Sequence, residues 1–186
     1  MNNHTTSITT NKKHHYRELL SIGFPIIIGQ LGTIILGFAD TLMIGHHSTP
    51  ELAAAGLVNN IFGLVFVSYM GFTYGLTPII GKLYGEERTD CIGQKVRNSF
   101  FANMLTGAIF TAVLILLYLN LAHIGQPEEL LSLIRPYFLV NLASVLFMGI
   151  FFTMKQFLDG IGKTKVAMWA MIGGNVVNIL GNWVLI

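Results

Sequence analysis

The sequence predicts an all-α protein, a polytopic membrane helix bundle of about five transmembrane helices. Three observations predict this class. Hydrophobic residues make up 53% of the chain and charged residues only 11%, which is about half the charged content of a soluble domain. The mean hydropathy is +0.63. The charged residues also fall in short clusters between long uncharged stretches, which only lipid would cover favourably.

The chain is expected to divide into residues 1–17, a cytoplasmic polar tail, and residues 18–186, the transmembrane helices. The tail is rich in Asn, Thr and His. It lacks the apolar stretch and cleavage site of a signal peptide. Its composition predicts disorder.

Five apolar stretches are long enough to span a bilayer, which takes about 20 residues at about 1.5 Å each. They cover about residues 19–44, 52–80, 98–119, 136–157 and 166–186. Together they leave too few residues for a water-soluble shell. The last stretch runs to the end of the chain, and this favours a truncated protein or an excised half over a complete five-helix protein.

Lysine and arginine indicate the orientation, because cytoplasmic loops retain them. Ten of the eleven lie before the first span or around the second-to-third and fourth-to-fifth loops. They are Lys12, Lys13, Arg17, Lys82, Arg88, Lys95, Arg97, Lys155, Lys163 and Lys165. The exception is Arg135, where the fourth span begins. The pattern predicts a multi-pass protein of the plasma (inner) membrane with a cytoplasmic amino terminus.

Several other classes are disfavoured. The basic residues form no single patch, so no nucleic-acid partner is expected. Residues 160–164 resemble the end of a phosphate-binding loop, but that motif requires glycine where Phe157 stands. His46 and His47 lack a further ligand at metal spacing. No cofactor and no enzymatic activity are therefore expected.

Asp40 is an acidic residue inside the first apolar stretch. An unpaired carboxylate near the bilayer centre costs about 2.5–3.5 kcal/mol on insertion scales, so such residues usually face a cavity and bind protons or cations. Asp40 also lies towards the outer boundary, where water can hydrate a carboxylate. The sequence pattern leaves both interpretations open.

Amides recur in the spans. Asn175, Asn178 and Asn182 share one face of the fifth predicted helix. Amide oxygens can bind a hard cation, and amides can also join helices. With these, further amides in other spans favour a polar interior cavity. The candidate cavity-lining residues are Gln30, Asn59, Asn60 and Asn175.

Two features concern helix geometry. Pro25, early in the first span, either kinks its helix for packing or acts as a hinge between two states. Gly71 and Gly75 form a small-residue face, which predicts a close helix contact.

Several segments together resemble the MATE family of multidrug exporters. The first are Pro25–Gly32 (PIIIGQLG), Gly37–Gly45 (GFADTLMIG) and Glu51–Ala54 (ELAA). The similarity continues through Gly75–Pro78, Tyr84–Gly85, Asp159–Lys163 and Asn175–Asn182. It spans nearly everything from Pro25 onward.

The resemblance implies an antiporter of two lobes and about twelve helices that exports small organic cations by alternating access. The chain would be the amino-terminal lobe, and its partners would be the bilayer and a carboxy-terminal lobe. The resemblance also assigns Asp40, Asn178 and Asn182 to a cation site. Some family members carry aspartate where this chain has Asn182, so the coupling ion, sodium or proton, stays open. No metal site is expected beyond sodium at Asp40.

Two alternatives remain. A flippase for lipid-linked precursors is expected to show more basic residues around its central cavity. The second is a membrane subunit with only a structural role. Asp40 and the amides inside the spans argue against it.

Overall fold

The structure is a computed structural model. It describes the backbone of residues 3–125 and 127–185 and their side chains except those of 3–15, 124, 182, 184 and 185. These ranges are helical throughout apart from short turns, with no strand, which confirms the all-α class. The helices are α1 (Asn3–His47), α2 (Thr49–Thr73), α3 (Leu76–Gly85), α4 (Thr89–Leu119), α5 (Glu128–Gly160) and α6 (Thr164–Leu185). A short 3-10 helix, Leu121–Ile124, follows α4.

Four helical stretches of the described chain are long and apolar enough to cross a membrane, so the chain is a multi-pass membrane protein. They are Tyr16–His47, Thr49–Gly85, Thr89–Leu119 and Glu128–Gly160. They contain the first four predicted spans and continue beyond them into polar turns. The fifth predicted span falls on α6, whose 22 residues reach about 33 Å. That α6 crosses the bilayer stays a prediction.

The polar tail is helical where disorder was predicted, because α1 begins at Asn3. Polarity alone does not end a helix. No glycine or proline precedes Gly23, and extending an existing helix is far easier than starting a new one.

The second predicted span is interrupted towards its end, between α2 and α3. Pro78 lacks an N–H, and its ring collides with the carbonyl of the residue four positions earlier, which is Tyr74. Tyr74 and Gly75 keep right-handed dihedrals, with φ/ψ of −60°/−22° and −59°/−21°. The chain therefore stays right-handed through the two-residue turn Tyr74–Gly75 and continues as α3.

The close contact predicted for Gly71 and Gly75 is wrong for the described residues. A Cβ at Gly71 would meet nothing within 4 Å, and one at Gly75 would meet only the Phe72 carbonyl, 3.6 Å away within its own helix. A small-residue face needs a partner helix opposite it, and the described helices place none there.

Helices α2 to α5 pack into one body, here called the central group. The α5 helix contacts α2, α3 and α4 extensively. The group contains a hydrophobic core in which the rings of Phe62 and Phe138 meet edge to face at 4.9 Å. Around them lie Val58, Leu114 and Val145, each almost fully buried. A second cluster of buried apolar side chains joins α3 to α4.

Helices α1 and α6, the outermost in sequence, form a pair. The most extensive contact of α1 is with α6, whereas α1 touches α2 and α6 touches α5 more sparsely. Glycines allow the close approach. A Cβ at Gly29 would lie 3.1 Å from Met171 Sδ, and one at Gly32 would lie 3.0 Å from Asn175 Nδ2.

The segment that resembles a phosphate-binding loop is the end of α5. Lys163 N–H donates to Leu158 O at 2.9 Å, and Gly162 N–H donates to Asp159 O at 3.1 Å. Gly162 adopts φ 73°. This bonding is a Schellman motif, in which a left-handed residue, usually glycine, ends the helix. The glycine spacing is explained by helix capping.

Candidate functional site

Two cavities follow the boundary between the α1–α6 pair and the central group, here called the seam. Residues of α1, α2, α5 and α6 line both. The first, the outer cavity, has a volume of about 600 Å³. Its polar lining residues are Asp40, His47, Glu51, Tyr137, Asn141 and Asn178.

The outer cavity brings together two of the sequence-predicted site residues. Asp40 extends from α1 and Asn178 from α6, and both line the cavity. Across the seam, Tyr137 and Asn141 lie one turn apart on α5. Carboxylate and amide oxygens are the ligand types that hard cations prefer. The lining is therefore chemically suited to a proton or a small cation.

Hydrogen bonds hold the α5 side of this cavity in place. The Tyr137 hydroxyl is 3.0 Å from Asn59 Oδ1 and donates to it. Asn141 Nδ2 donates to the Tyr137 carbonyl at 2.9 Å. Asn59 thus lies beside the outer cavity and positions one of its lining residues.

The rim of the outer cavity is the corner between α1 and α2. His47 Nδ1 lies 2.5 Å from Glu51 Oε2. The Glu51 N–H donates to Ser48 Oγ at 3.2 Å, which caps the start of α2. His47 thus contacts a second carboxylate of the cavity.

The other predicted site residues are dispersed. Gln30 and Asn175 line a second cavity, described below. Asn60 is exposed and lines neither cavity. Pro25 is buried within α1. The Asn182 backbone belongs to α6, and its side chain lies outside the described part of the structure.

The second cavity, the inner cavity, has a volume of about 340 Å³. Its polar lining residues are Gln30, Thr33, Ser144, Lys155 and Asn175. Among the described residues that line it, Lys155 is the one ionisable group. At its edge, Gln30 Nε2 donates to the Tyr74 hydroxyl at 3.0 Å and so joins α1 to the turn between α2 and α3.

Lys155 belongs to a buried ion pair that the sequence analysis missed. Its Nζ lies 2.8 Å from Asp159 Oδ2, and both side chains are only 5% exposed. The ammonium also lies 5.9 Å from the centre of the Tyr74 ring. The second carboxylate oxygen, Asp159 Oδ1, is buried and makes no hydrogen bond with any described residue.

Two further polar contacts, one buried and one partly buried, connect helices of the central group. Thr77 Oγ1 donates to Gln156 Oε1 at 2.6 Å, between α3 and α5. Asn103 Nδ2 donates to Thr153 Oγ1 at 2.7 Å, between α4 and α5. Such pairs resist separation because each group would be left unpaired away from water. Within the described ranges, no three His, Cys, Asp or Glu side chains are grouped to hold a metal ion.

Comparison with known proteins gives one family. The chain matches the family described as MatE over residues 25–184. It is 31% identical to a probable multidrug resistance protein NorM of Bacillus subtilis over 96% of this chain and 40% of that protein. It is 29% identical to a probable multidrug resistance protein NorM of Photorhabdus laumondii, over 91% of this chain and 38% of that protein. It is also 29% identical to the multidrug resistance protein MdtK of Klebsiella pneumoniae, over 91% of this chain and 37% of that protein. The chain thus spans about two fifths of the length of these relatives.

Proposed function

This chain belongs to the MATE family, and on that premise we propose that it is the amino-terminal lobe of a cation-coupled antiporter that exports organic cations. The match over residues 25–184 and the multidrug resistance names of its relatives support this proposal. The relatives are more than twice as long as the matched region, which supports a carboxy-terminal lobe as the missing partner. The lobe lies in the plasma membrane with its amino terminus in the cytoplasm.

The observation that carries the proposal is the convergence of Asp40 and Asn178 on one cavity from two separate helices. Asp40 supplies the negative charge and Asn178 an amide oxygen. Asn182, one turn further along α6, shares the face of Asn178 and is the third member of the proposed site. The site binds sodium or a proton. No Lys or Arg is among the described lining residues of this cavity, which favours cation export over a lipid-precursor flippase.

Ion binding drives transport only if it favours one arrangement of the helices over another. The two proposed ligand helices, α1 and α6, pack on each other more than on the central group. An ion bound between Asp40 and Asn178 therefore acts on the pair as a unit. Pro25 gives α1 a bending point on the cytoplasmic side of Asp40.

The test is Asp40→Asn in the complete two-lobe protein, reconstituted in liposomes with an imposed sodium or proton gradient. The substitution keeps the shape and removes the charge, so gradient-driven efflux of a cationic dye should be lost. Asn178→Ala should reduce efflux less, by about tenfold, because water can replace one neutral oxygen.

Asp90→Asn is the matched control, since Asp90 is exposed in the first turn of α4. It should leave efflux at the wild-type rate. Wild-type, gradient-driven efflux by Asp40→Asn would show that Asp40 is an interfacial residue without a role in coupling.

A further inference from the structure

We propose that the exposed face of α6 is a docking site for an anionic phospholipid such as phosphatidylglycerol. The lipid phosphate lies against Lys163 and Lys165 at the corner between α5 and α6, and the acyl chains lie along the apolar side chains that follow. The site is separate from both cavities, because Lys163, Lys165 and Trp169 line neither of them. Lipid docking there does not depend on ion-coupled export.

The apolar part of this face is a stripe along α6, here called the α6 stripe. Its members are all at least half exposed, and they are Val166, Trp169, Val176, Val177 and Leu180. Their spacing places them on one side of a helix. From Val166 to Leu180 the stripe extends about 21 Å at about 1.5 Å per residue. One leaflet of hydrocarbon is about 15 Å thick, so the stripe accommodates a full acyl chain.

Trp169 marks the level at which the α6 stripe meets the lipid head groups. It follows Lys165 by one helical turn, so the two lie on the same side of α6, about 6 Å apart along its axis. Its ring is 65% exposed. Tryptophan is enriched at the boundary between hydrocarbon and head groups, because its ring is apolar and its N–H seeks a polar partner. A phosphate beside Lys165 therefore brings the ester groups of the lipid to the level of this N–H.

The charge at the corner between α3 and α4 is partly compensated. There Lys82 Nζ lies 3.9 Å from Glu86 Oε1, and Arg88 Nη1 lies 3.7 Å from Glu86 Oε2. Glu87 and Asp90 add two further carboxylates to the same segment. An anion from outside the protein therefore meets acidic as well as basic groups at that corner.

The corner between α5 and α6 has no such compensation. Lys163 and Lys165 are exposed, and neither forms an ion pair with any described residue. Asp159, the one acidic residue in the sequence from 130 to 186, is buried and paired with Lys155. Uncompensated ammonium groups at a membrane surface favour an anionic head group over a zwitterionic one, by about fivefold for each lysine.

Tryptophan fluorescence measures which lipid touches the α6 stripe. The chain has two tryptophans, so Trp183→Phe leaves Trp169 as the single reporter. The full chain is placed in phosphatidylcholine vesicles that contain brominated phosphatidylglycerol or brominated phosphatidylcholine, whose bromine atoms quench a contacting indole ring. Brominated phosphatidylglycerol should bind at least about fivefold more strongly. Equal quenching by the two lipids would overturn the proposal. Quenching by neither would show that protein covers the stripe, which would also overturn it.

The two lysines are tested together. Lys163→Met combined with Lys165→Met removes both charges and keeps side chains of similar length, so the two brominated lipids should then quench Trp169 equally. Lys95→Met is the matched control, at an exposed lysine of α4, and it should keep the full preference for phosphatidylglycerol. A preference that survives in the double variant, or that falls as far in the control, would overturn the proposal.

The opposite end of α6 supplies a control for location. Trp169→Phe leaves Trp183, which is 77% exposed and lies about 21 Å further along the helix. No Lys or Arg follows Lys165 in the sequence, so the two lipids should quench Trp183 equally. A preference for phosphatidylglycerol at Trp183 as strong as at Trp169 would show a general enrichment of anionic lipid around the chain and would overturn the assignment of a site.

Discussion

The central group and the α1–α6 pair differ in how tightly their helices pack. In the central group, a Cβ at Gly149 would overlap the Tyr69 hydroxyl and the Met104 methyl, and one at Gly160 would lie 2.7 Å from Ile80 Cβ. In the pair, the closest approaches are longer, because a Cβ at Gly29 would lie 3.1 Å from Met171 Sδ and one at Gly32 would lie 3.0 Å from Asn175 Nδ2. The central group is therefore an interlocked frame, and the pair is attached to it along the seam.

The polar contacts show the same difference. Inside the central group, the side-chain hydrogen bond that joins α4 to α5 is buried and the one that joins α3 to α5 is partly buried. Side-chain contacts between the pair and the frame include Gln30–Tyr74 and His47–Glu51, and both are exposed. Because both cavities lie in the seam, a ligand in either one contacts the frame and the pair together. The comparison indicates that shifting the pair against the frame costs less free energy than rearranging the helices inside the frame.

The largest expected effect comes from Gly149→Val, which would break the interlock of the frame. The added methyl groups overlap Tyr69 and Met104, so the free energy of unfolding should fall by about 3 kcal/mol or more. Thermal unfolding in detergent, followed by tryptophan fluorescence, measures the loss.

Gly173→Val is the matched control for this prediction, because its side chain enters open space. Its melting temperature should stay close to the wild-type value. Similar shifts for the two variants would contradict the division into a tight frame and a looser pair.

A smaller effect is expected at the attachment between pair and frame. Gln30→Met and Tyr74→Phe each remove the same hydrogen bond. Each should cost about 0.5–1.5 kcal/mol, and the double variant should cost little more than either one. Amide hydrogen exchange should quicken in α1 and stay unchanged in α4. Additive effects of the two substitutions would show that this bond does not attach the pair.

The smallest expected effect lies at the end of α3, inside the frame. Glu87 adopts φ 58°, the left-handed region, and Arg88 N–H donates to Leu83 O at 3.0 Å as in a Schellman motif. Glycine is the favoured residue there, so Glu87→Gly should stabilise the protein by about 0.5–1 kcal/mol.

Glu86→Gly is the control, since Glu86 has φ −86° and gains nothing from glycine. The measurement is the melting temperature of each variant relative to the wild type. A loss of stability in Glu87→Gly would show that the left-handed turn does not strain this chain.

The fold class could be predicted because it depends on local properties. Apolar length and the absence of charge predict helices wherever a bilayer forbids unpaired backbone groups. The interruption at Tyr74 also has a local signal, Pro78, which the span prediction did not use to divide the helix. The disorder predicted for the tail failed because polarity was treated as a signal for breaking a helix.

The site was only partly predictable, because its side chains come from helices that are far apart in the sequence. The grouping of Asp40 with Asn178 came from the family resemblance; spacing within one helix cannot show which other helix lies opposite. Tyr137 was missed because a tyrosine in an apolar stretch has no distinctive pattern. Lys155 was predicted to be a cytoplasmic boundary charge, and Asp159 entered only as part of the family resemblance. Their pairing was missed because burial depends on the packing of α5 against helices far away in sequence.

The pairing of the first helix with the last one has a consequence for biosynthesis. The ribosome makes α1 first, yet its main partner α6 begins only at Thr164. At about 5–20 residues per second, α1 waits on the order of ten seconds for that partner. During this interval α1 must persist in lipid without its principal neighbour, while α2 to α5 can assemble as one continuous segment. The α1 helix has many exposed apolar side chains, such as Ile34, Ile35 and Phe38. These side chains suit a helix that is inserted early and packed late.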